Sequence, residues 1–122
     1  MLERGYSGMR AYRQSKLAVV MHAFELAARH GGAGVSANAL HPASLMDTKM
    51  VYESFGYTMS TVDDGVRSTM RLVADPALAG VSGRYFNEDR EDRADQQAYD
   101  EDARARLWSI GERLTGMRIA VR

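Results

Sequence analysis

The chain has 122 residues, 45% hydrophobic and 26% charged, with 16 acidic and 16 basic side chains, which allows one modest core and no second domain. Balanced charge supplies no basic field for nucleic acid, and the absence of cysteine excludes a disulfide framework or a thiolate metal site. Three scattered histidines lack ligand spacing, so no metal is expected. The longest apolar run, Leu17 to Met21, is far too short to cross a bilayer, and no signal or transit sequence follows Met1, so a cytoplasmic protein without a membrane partner is expected.

In chain order, a short polar lead from Met1 to Gly8 precedes a helix over about 9–30. Leu17, Val20, Met21, Phe24 and Ala28 form its apolar stripe, and Gly31-Gly32 stand where a helix cap belongs. A weakly alternating segment over about 35–41 reads as a short strand stopped at His41-Pro42, because proline cannot donate a ladder hydrogen bond. A Met-rich connection runs from Ala43 to Ser60. Thr61-Val62-Asp63-Asp64 then reads as a capping box opening a helix through Ala74, closed by Asp75-Pro76. Ser82 to Asn87 reads as a second strand, Glu88 to Asp102 as a solvated acidic surface, and about 98–115 as a last helix. That helix carries Leu107, Ile110 and Leu114 and is capped by Gly116, with Trp108 expected in the core.

Within the first helix, Tyr12 and Lys16 stand four residues apart, so a phenol and an ammonium share one face with Cβ atoms about 5–6 Å apart. A phenol is a weak acid-base group at neutral pH, and an adjacent fixed positive charge favours its ionised form. Taken alone, the pair also reads as two solvated side chains on a helix. Its setting is more specific: small residues surround the tyrosine, an Ala-rich helix follows, and then come a Gly-rich turn, a strand and Asn38-Ala39-Leu40-His41-Pro42-Ala43-Ser44-Leu45-Met46-Asp47-Thr48.

Together these residues resemble the short-chain dehydrogenase/reductase family, whose active-site Tyr and Lys head a helix leading into a strand that ends in Pro-Gly and then a Thr. Gly83-Arg84-Tyr85-Phe86 and Arg106-Leu107-Trp108-Ser109 with Leu114 resemble the late strand and terminal helix of retinol-dehydrogenase-like members. The resemblance runs from about Tyr6 to Gly116. It implies an α/β fold, a partial Rossmann (doubly wound parallel) sheet holding the C-terminal part of one domain. In order, that part would comprise the active-site helix at about 9–30, a strand at about 35–41, a substrate lid at about 43–75, and a late strand and terminal helix at about 82–116.

The family's N-terminal nucleotide-binding half has no counterpart here. A dinucleotide fold needs a Gly-rich turn that follows a strand and opens a helix onto the pyrophosphate. Gly31-Gly32-Ala33-Gly34 ends a helix and leads into a strand, the reverse order, and reads as a cap and tight loop. The family's carbonyl-polarising Ser, around a dozen residues before the Tyr, has no counterpart either: Ser7 reads as a helix-start residue and Ser15 as a helix-surface residue. The expectation is therefore a truncated form, inactive alone.

What the resemblance implies about chemistry is specific. Tyr12 would exchange a proton with the oxygen of an alcohol or carbonyl, and Lys16 would assist Tyr12 and hold the nicotinamide ribose of NAD or NADP. Pro42 would lie beside the cofactor. The pattern departs twice, since Ala43 replaces the Gly and Thr48 stands six residues beyond Pro42 instead of five, so the cofactor-facing hydroxyl belongs to Ser44 or Thr48. Both also read as ordinary loop hydroxyls making local turn bonds. Met46 and Met50, with Tyr52, Phe55, Tyr57 and Met59, give the connection more apolar surface than a solvated loop needs, which suits a small apolar alcohol or ketone or simple packing of the connection on the core. A homo-oligomer is expected. The alternative to an oxidoreductase is a noncatalytic association module that dimerises through the long first helix.

Overall fold

The computed structural model describes residues 5–119. Met1 to Arg4, the first half of the expected polar lead, lie outside the described residues. Helix α1 spans Gly8–His30, strand β1 Ala39–His41, helix α2 Lys49–Phe55, helix α3 Val62–Ala74, strands β2 and β3 Tyr85–Asn87 and Arg90–Asp92, and helix α4 Glu101–Thr115.

Helix α1 turns its stripe toward α4 and the turn that precedes it. Met21 and Phe24 are buried with Ala98 and Ala103, and Leu17, Val20, Tyr85, Ala94 and Leu107 pack against them. Ala28 falls outside this core and is exposed. Arg29 and His30 occupy the last turn, where positive charge complements the helix dipole. Gly31 stays right-handed at φ −56, a 3₁₀ turn continues through Ala33, and the left-handed reversal expected at Gly31-Gly32 comes at Gly34, φ 77. Only a residue without Cβ takes that conformation cheaply, so the last of the three clustered glycines ends the helix.

The sheet has the order β1-β2-β3 and is mixed. β1 pairs parallel with β2, Leu40 opposite Phe86, after a crossover through α2 and α3. β2 pairs antiparallel with β3, Phe86 opposite Glu91. An α/β chain with a parallel crossover is compatible with part of a Rossmann-like fold. The sheet departs from all-parallel because part of the acidic segment after Asn87 folds back as β3, through a turn that places Glu88 at φ 55.

Both expected strands are shorter than their sequence patterns. Residues 35–38 and 82–84 run alongside each other, but side chains replace part of the ladder. Ala37 N donates to Ser82 Oγ at 3.0 Å, Asn38 Nδ2 donates to the Val81 carbonyl at 2.9 Å, and Arg84 N donates to Asn38 Oδ1 at 3.0 Å. Side chains of Asn and Ser compete with backbone for hydrogen bonds, which confines the regular ladder to three residues.

Helix α2 arises within the Met-rich connection because Thr48 caps it, accepting from Val51 N. The Thr61 capping box of α3 is present in full, with Asp64 returning a bond to the Thr61 backbone. Helix α4 starts at Glu101, where Asp100 accepts from Ala103 N, and not near Ala98. Ala98 sits in a preceding 3₁₀ turn with no exposed surface. Trp108 is buried as expected and Gly116 takes the left-handed cap, but Leu114 is 78% exposed and stands outside the core cluster. No helix among the described residues is long and apolar enough to cross a membrane.

Candidate active site

Tyr12 and Lys16 lie in the second and third turns of α1, ahead of the segment that packs on α4. Tyr12 is 53% exposed and Lys16 is exposed, so both polar tips are open to solvent and to a ligand. Lys16 Nζ stands 5.4 Å from the Tyr12 ring centroid. The one-turn spacing brings the two together, and the contact is a cation over a π face. Beside them Ser15 Oγ donates to the Tyr12 carbonyl at 2.7 Å, a local helix bond and not a substrate contact.

The loop after β1 is built by its own bonds. Ala43 is buried and Pro42 half-buried, which seats the loop against the end of the sheet. Ser44 Oγ lies 3.2 Å from His41 Nε2. Leu45 has φ 44, a left-handed conformation unusual for a branched side chain, and is held there by bonds from Met59 N to its carbonyl at 2.9 Å and from Asp47 N to the Ser60 carbonyl at 2.8 Å. Thr48 Oγ1 accepts from Val51 N at 3.3 Å as the α2 cap, leaving its hydroxyl proton and one lone pair to offer a ligand.

Of the two methionines expected to meet substrate, Met46 is half-buried and its thioether lies against Gly65 of α3. Met50 is 65% exposed on α2. Among the described residues, no hydrogen bond or ion pair joins Tyr12 or Lys16 to Pro42, Ser44, Met46, Thr48 or Met50. Two open grooves flank α1 elsewhere. One, of about 260 Å³, lies between α1 and α4 over Leu17, Met21 and Leu107; the other, of about 320 Å³, lies over Phe24, Ser82 and Tyr99. Neither is lined by Tyr12 or Lys16.

A cluster at the other end of α1 had only a partial signal in the sequence. Glu25, buried, accepts from Arg29 Nε at 2.6 Å and from Arg104 Nε at 3.3 Å. Arg29 lies over the Trp108 ring at 4.9 Å, and the His22 ring stacks on the same indole at 5.2 Å. His30 is buried beside it, its ring 6.4 Å away. The four-residue spacing of Glu25 and Arg29 is legible; the arrival of Arg104 and Trp108 is tertiary. This cluster joins helices and is remote in sequence from Tyr12.

No family model matches the chain. Human retinol dehydrogenase 14 is 30% identical over 127 residues, covering 94% of this chain and 38% of that protein. Mouse retinol dehydrogenase 13 is 36% identical over 129 residues, covering 94% of this chain and 39% of that protein. The WW domain-containing oxidoreductase of Pongo abelii is 31% identical over 123 residues, covering 93% of this chain and 30% of that protein. The chain thus spans under two-fifths of the length of these relatives. With similarity running through nearly all of its own length, helix of Tyr12 and Lys16 included, the chain belongs to the short-chain dehydrogenase/reductase family and is similar within it to retinol dehydrogenases.

Proposed function

We propose that this chain carries the proton-transfer face of an NAD(P)-dependent oxidoreductase that interconverts an alcohol and a carbonyl. The observation that carries the reading is the Lys16 ammonium held 5.4 Å from the ring centroid of a half-exposed Tyr12 in a family that uses such a pair. In the reducing direction, the Tyr12 hydroxyl hands its proton to the carbonyl oxygen; in reverse it takes the proton of the alcohol. A bound dihydronicotinamide supplies the hydride. Lys16 is exposed, with no ion-pair partner among the described residues, which suits an ammonium that grips ribose hydroxyls and so fixes the reacting carbon relative to Tyr12.

The residues present fit one end of the cofactor. Pro42 and Ser44 follow directly on the carboxyl end of β1, where α/β sheets bind ligands, the strained Leu45 backbone comes next, and Thr48 opens the helix beyond. The pyrophosphate end has no matching glycine-rich turn in the 122 residues. The chain by itself is accordingly proposed to be inactive, and turnover to require a nucleotide-binding part such as the longer relatives have room for. Met46 and Met50 suit a small apolar substrate.

A chimera tests this reading. The chain replaces the matching portion of mouse retinol dehydrogenase 13, and NAD(P)H oxidation is followed with an aliphatic aldehyde. The expected result is turnover that Tyr12→Phe abolishes while circular dichroism stays unchanged. A folded Tyr12→Phe chimera as active as its parent would overturn the assignment.

A further inference from the structure

The groove over Phe24, Ser82 and Tyr99 lies at the opposite end of the sheet from the candidate active site. Ser82 and Gly83, which line it, precede β2, whereas Pro42 and Ser44 follow β1, and the two strands run parallel. On α1, Ala28 at the groove stands about 24 Å along the helix axis from Tyr12. Phe24, Ala27 and Ala28 supply apolar surface, and the Phe24 ring meets Tyr99 at 5.4 Å with a tilt of 52°. A volume of about 320 Å³ holds about ten non-hydrogen atoms at about 30 Å³ each.

We propose that this groove binds a small aromatic carboxylate. Arg104 brings the one formal charge among the lining residues. Of its five N–H groups, Nε donates to Glu25 and Nη1 gives one to the Ala98 carbonyl, which leaves three. Glu25 also serves Arg29, so one carboxylate answers two guanidiniums and the trio keeps one positive charge in excess. The Arg104 side chain is only 12% exposed, where incompletely compensated charge is costly and a ligand carboxylate would offset it. Ser82 Oγ accepts from Ala37 N and the Tyr99 hydroxyl from Ala94 N, so each keeps a proton for which the described residues provide no acceptor. Arg93 adds a second cation, 4.5 Å over the Tyr99 ring and without an ion-pair partner among the described residues. Unmatched donors suit an anion, and the tilted Phe24 and Tyr99 rings suit an aromatic body.

The acidic residues on either side of the Tyr99 turn do not supply the missing charge. Asp95 accepts from Gln97 N and Asp100 from Ala103 N as helix caps, and neither lines the groove. The inference is independent of the catalytic reading and would stand if Tyr12 proved inert.

Sodium benzoate titrated into the 122-residue chain is expected to shift the Arg104 Nε–H and the Gly83 amide in proton–nitrogen correlation spectra, with millimolar affinity. Acetate, the charge without the ring, and benzyl alcohol, the ring without the charge, should each bind at least about tenfold more weakly. Ala28→Asp, at an exposed helical site, sets a carboxylate on the groove wall and should weaken benzoate at least about tenfold with circular dichroism unchanged. Ala28→Asn, neutral and of the same size, should weaken it less than about threefold. Ala28→Leu, which narrows the groove and suits a helix, should weaken it too and serves if the aspartate variant fails to fold. No shift at Arg104 or Gly83, benzyl alcohol binding as tightly as benzoate, or an affinity indifferent to the Ala28 changes would each overturn the proposal. Tighter binding of N-acetylphenylalanine than of benzoate would give the site to a peptide carboxylate and overturn its assignment to a free acid.

Discussion

Glu25 of α1 and Arg104 of α4, seventy-nine positions apart, meet with Arg104 Nε donating to Glu25 Oε2 at 3.3 Å. Their side chains are only 10% and 12% exposed, and Arg104 also donates to the Ala98 carbonyl at 3.0 Å, so one guanidinium ties both helix and preceding turn to α1. Removing one member of a buried pair leaves the other unpaired, which costs about 3–5 kcal/mol. Arg104→Ala is expected near the lower end of that range, about 3 kcal/mol by urea denaturation, because Arg29 still pairs with Glu25. Arg29→Ala, which removes a 32%-exposed partner, should cost less.

Gly65 and Met46 form a second coupled pair. A Cβ on Gly65 would overlap the Met46 sulfur. Alanine favours a helix interior over glycine by about 1 kcal/mol, whereas overpacking costs about 1–3 kcal/mol. Gly65→Ala alone is therefore expected to destabilise by about 1 kcal/mol, and in a Met46→Ala background to stabilise by about the same amount. A double-mutant cycle with no coupling would mean that the thioether swings aside freely.

At the candidate active site, function and stability should separate. Tyr12 is half exposed and contributes nothing to the core, so Tyr12→Phe is expected to change unfolding free energy by less than about 0.5 kcal/mol while abolishing turnover in the chimera. Lys16→Met removes an exposed cation–π contact worth at most about 1 kcal/mol, and should raise KM for NAD(P)H as well as lowering kcat.

Stability should fall at both ends of the pH scale, for different residues. Asp64 lies below its ordinary 3.8 because the Thr61 backbone N–H and hydroxyl bond its carboxylate, with a smaller share from Arg67. Asp92 is lowered in the same sense by the Arg93 backbone N–H, then by Asn87 and Arg90. A depressed folded value means that the unfolded chain takes up protons first, so this stabilisation is present above about pH 4 and is lost as pH falls through the folded values. Burial, and secondarily Asp92, raises Tyr85 above 10.0, so its contribution is intact below pH 10 and is lost as pH rises through the folded value. Urea midpoints should flatten on the acid side in Asp64→Asn or Asp92→Asn and on the alkaline side in Tyr85→Phe.

Local chemistry made much of the fold readable. The bounds of α1, the capping box of α3, the Gly116 cap and the burial of Trp108 follow from periodicity and side-chain hydrogen bonding within a few residues, and these the structure reproduces. The adjacency of Tyr12 and Lys16 is of the same kind, a consequence of helical pitch.

What the amino-acid order alone could not decide were the relations between distant segments. It placed α1, α3 and most of α4, but not the truncation of β1 by Asn38 and Ser82, the return of part of the acidic segment as β3, or the convergence of Glu25, Arg29, Arg104 and Trp108. Those depend on which partner each backbone and charged group finds once the chain is folded, and a partner more than forty residues away leaves no periodic trace. The same reason explains α3: its stripe is plain in the spacing of Val62, Val66, Met70 and Val73, but only the packing of Gly65 and Ser68 inward turned that stripe to the outside.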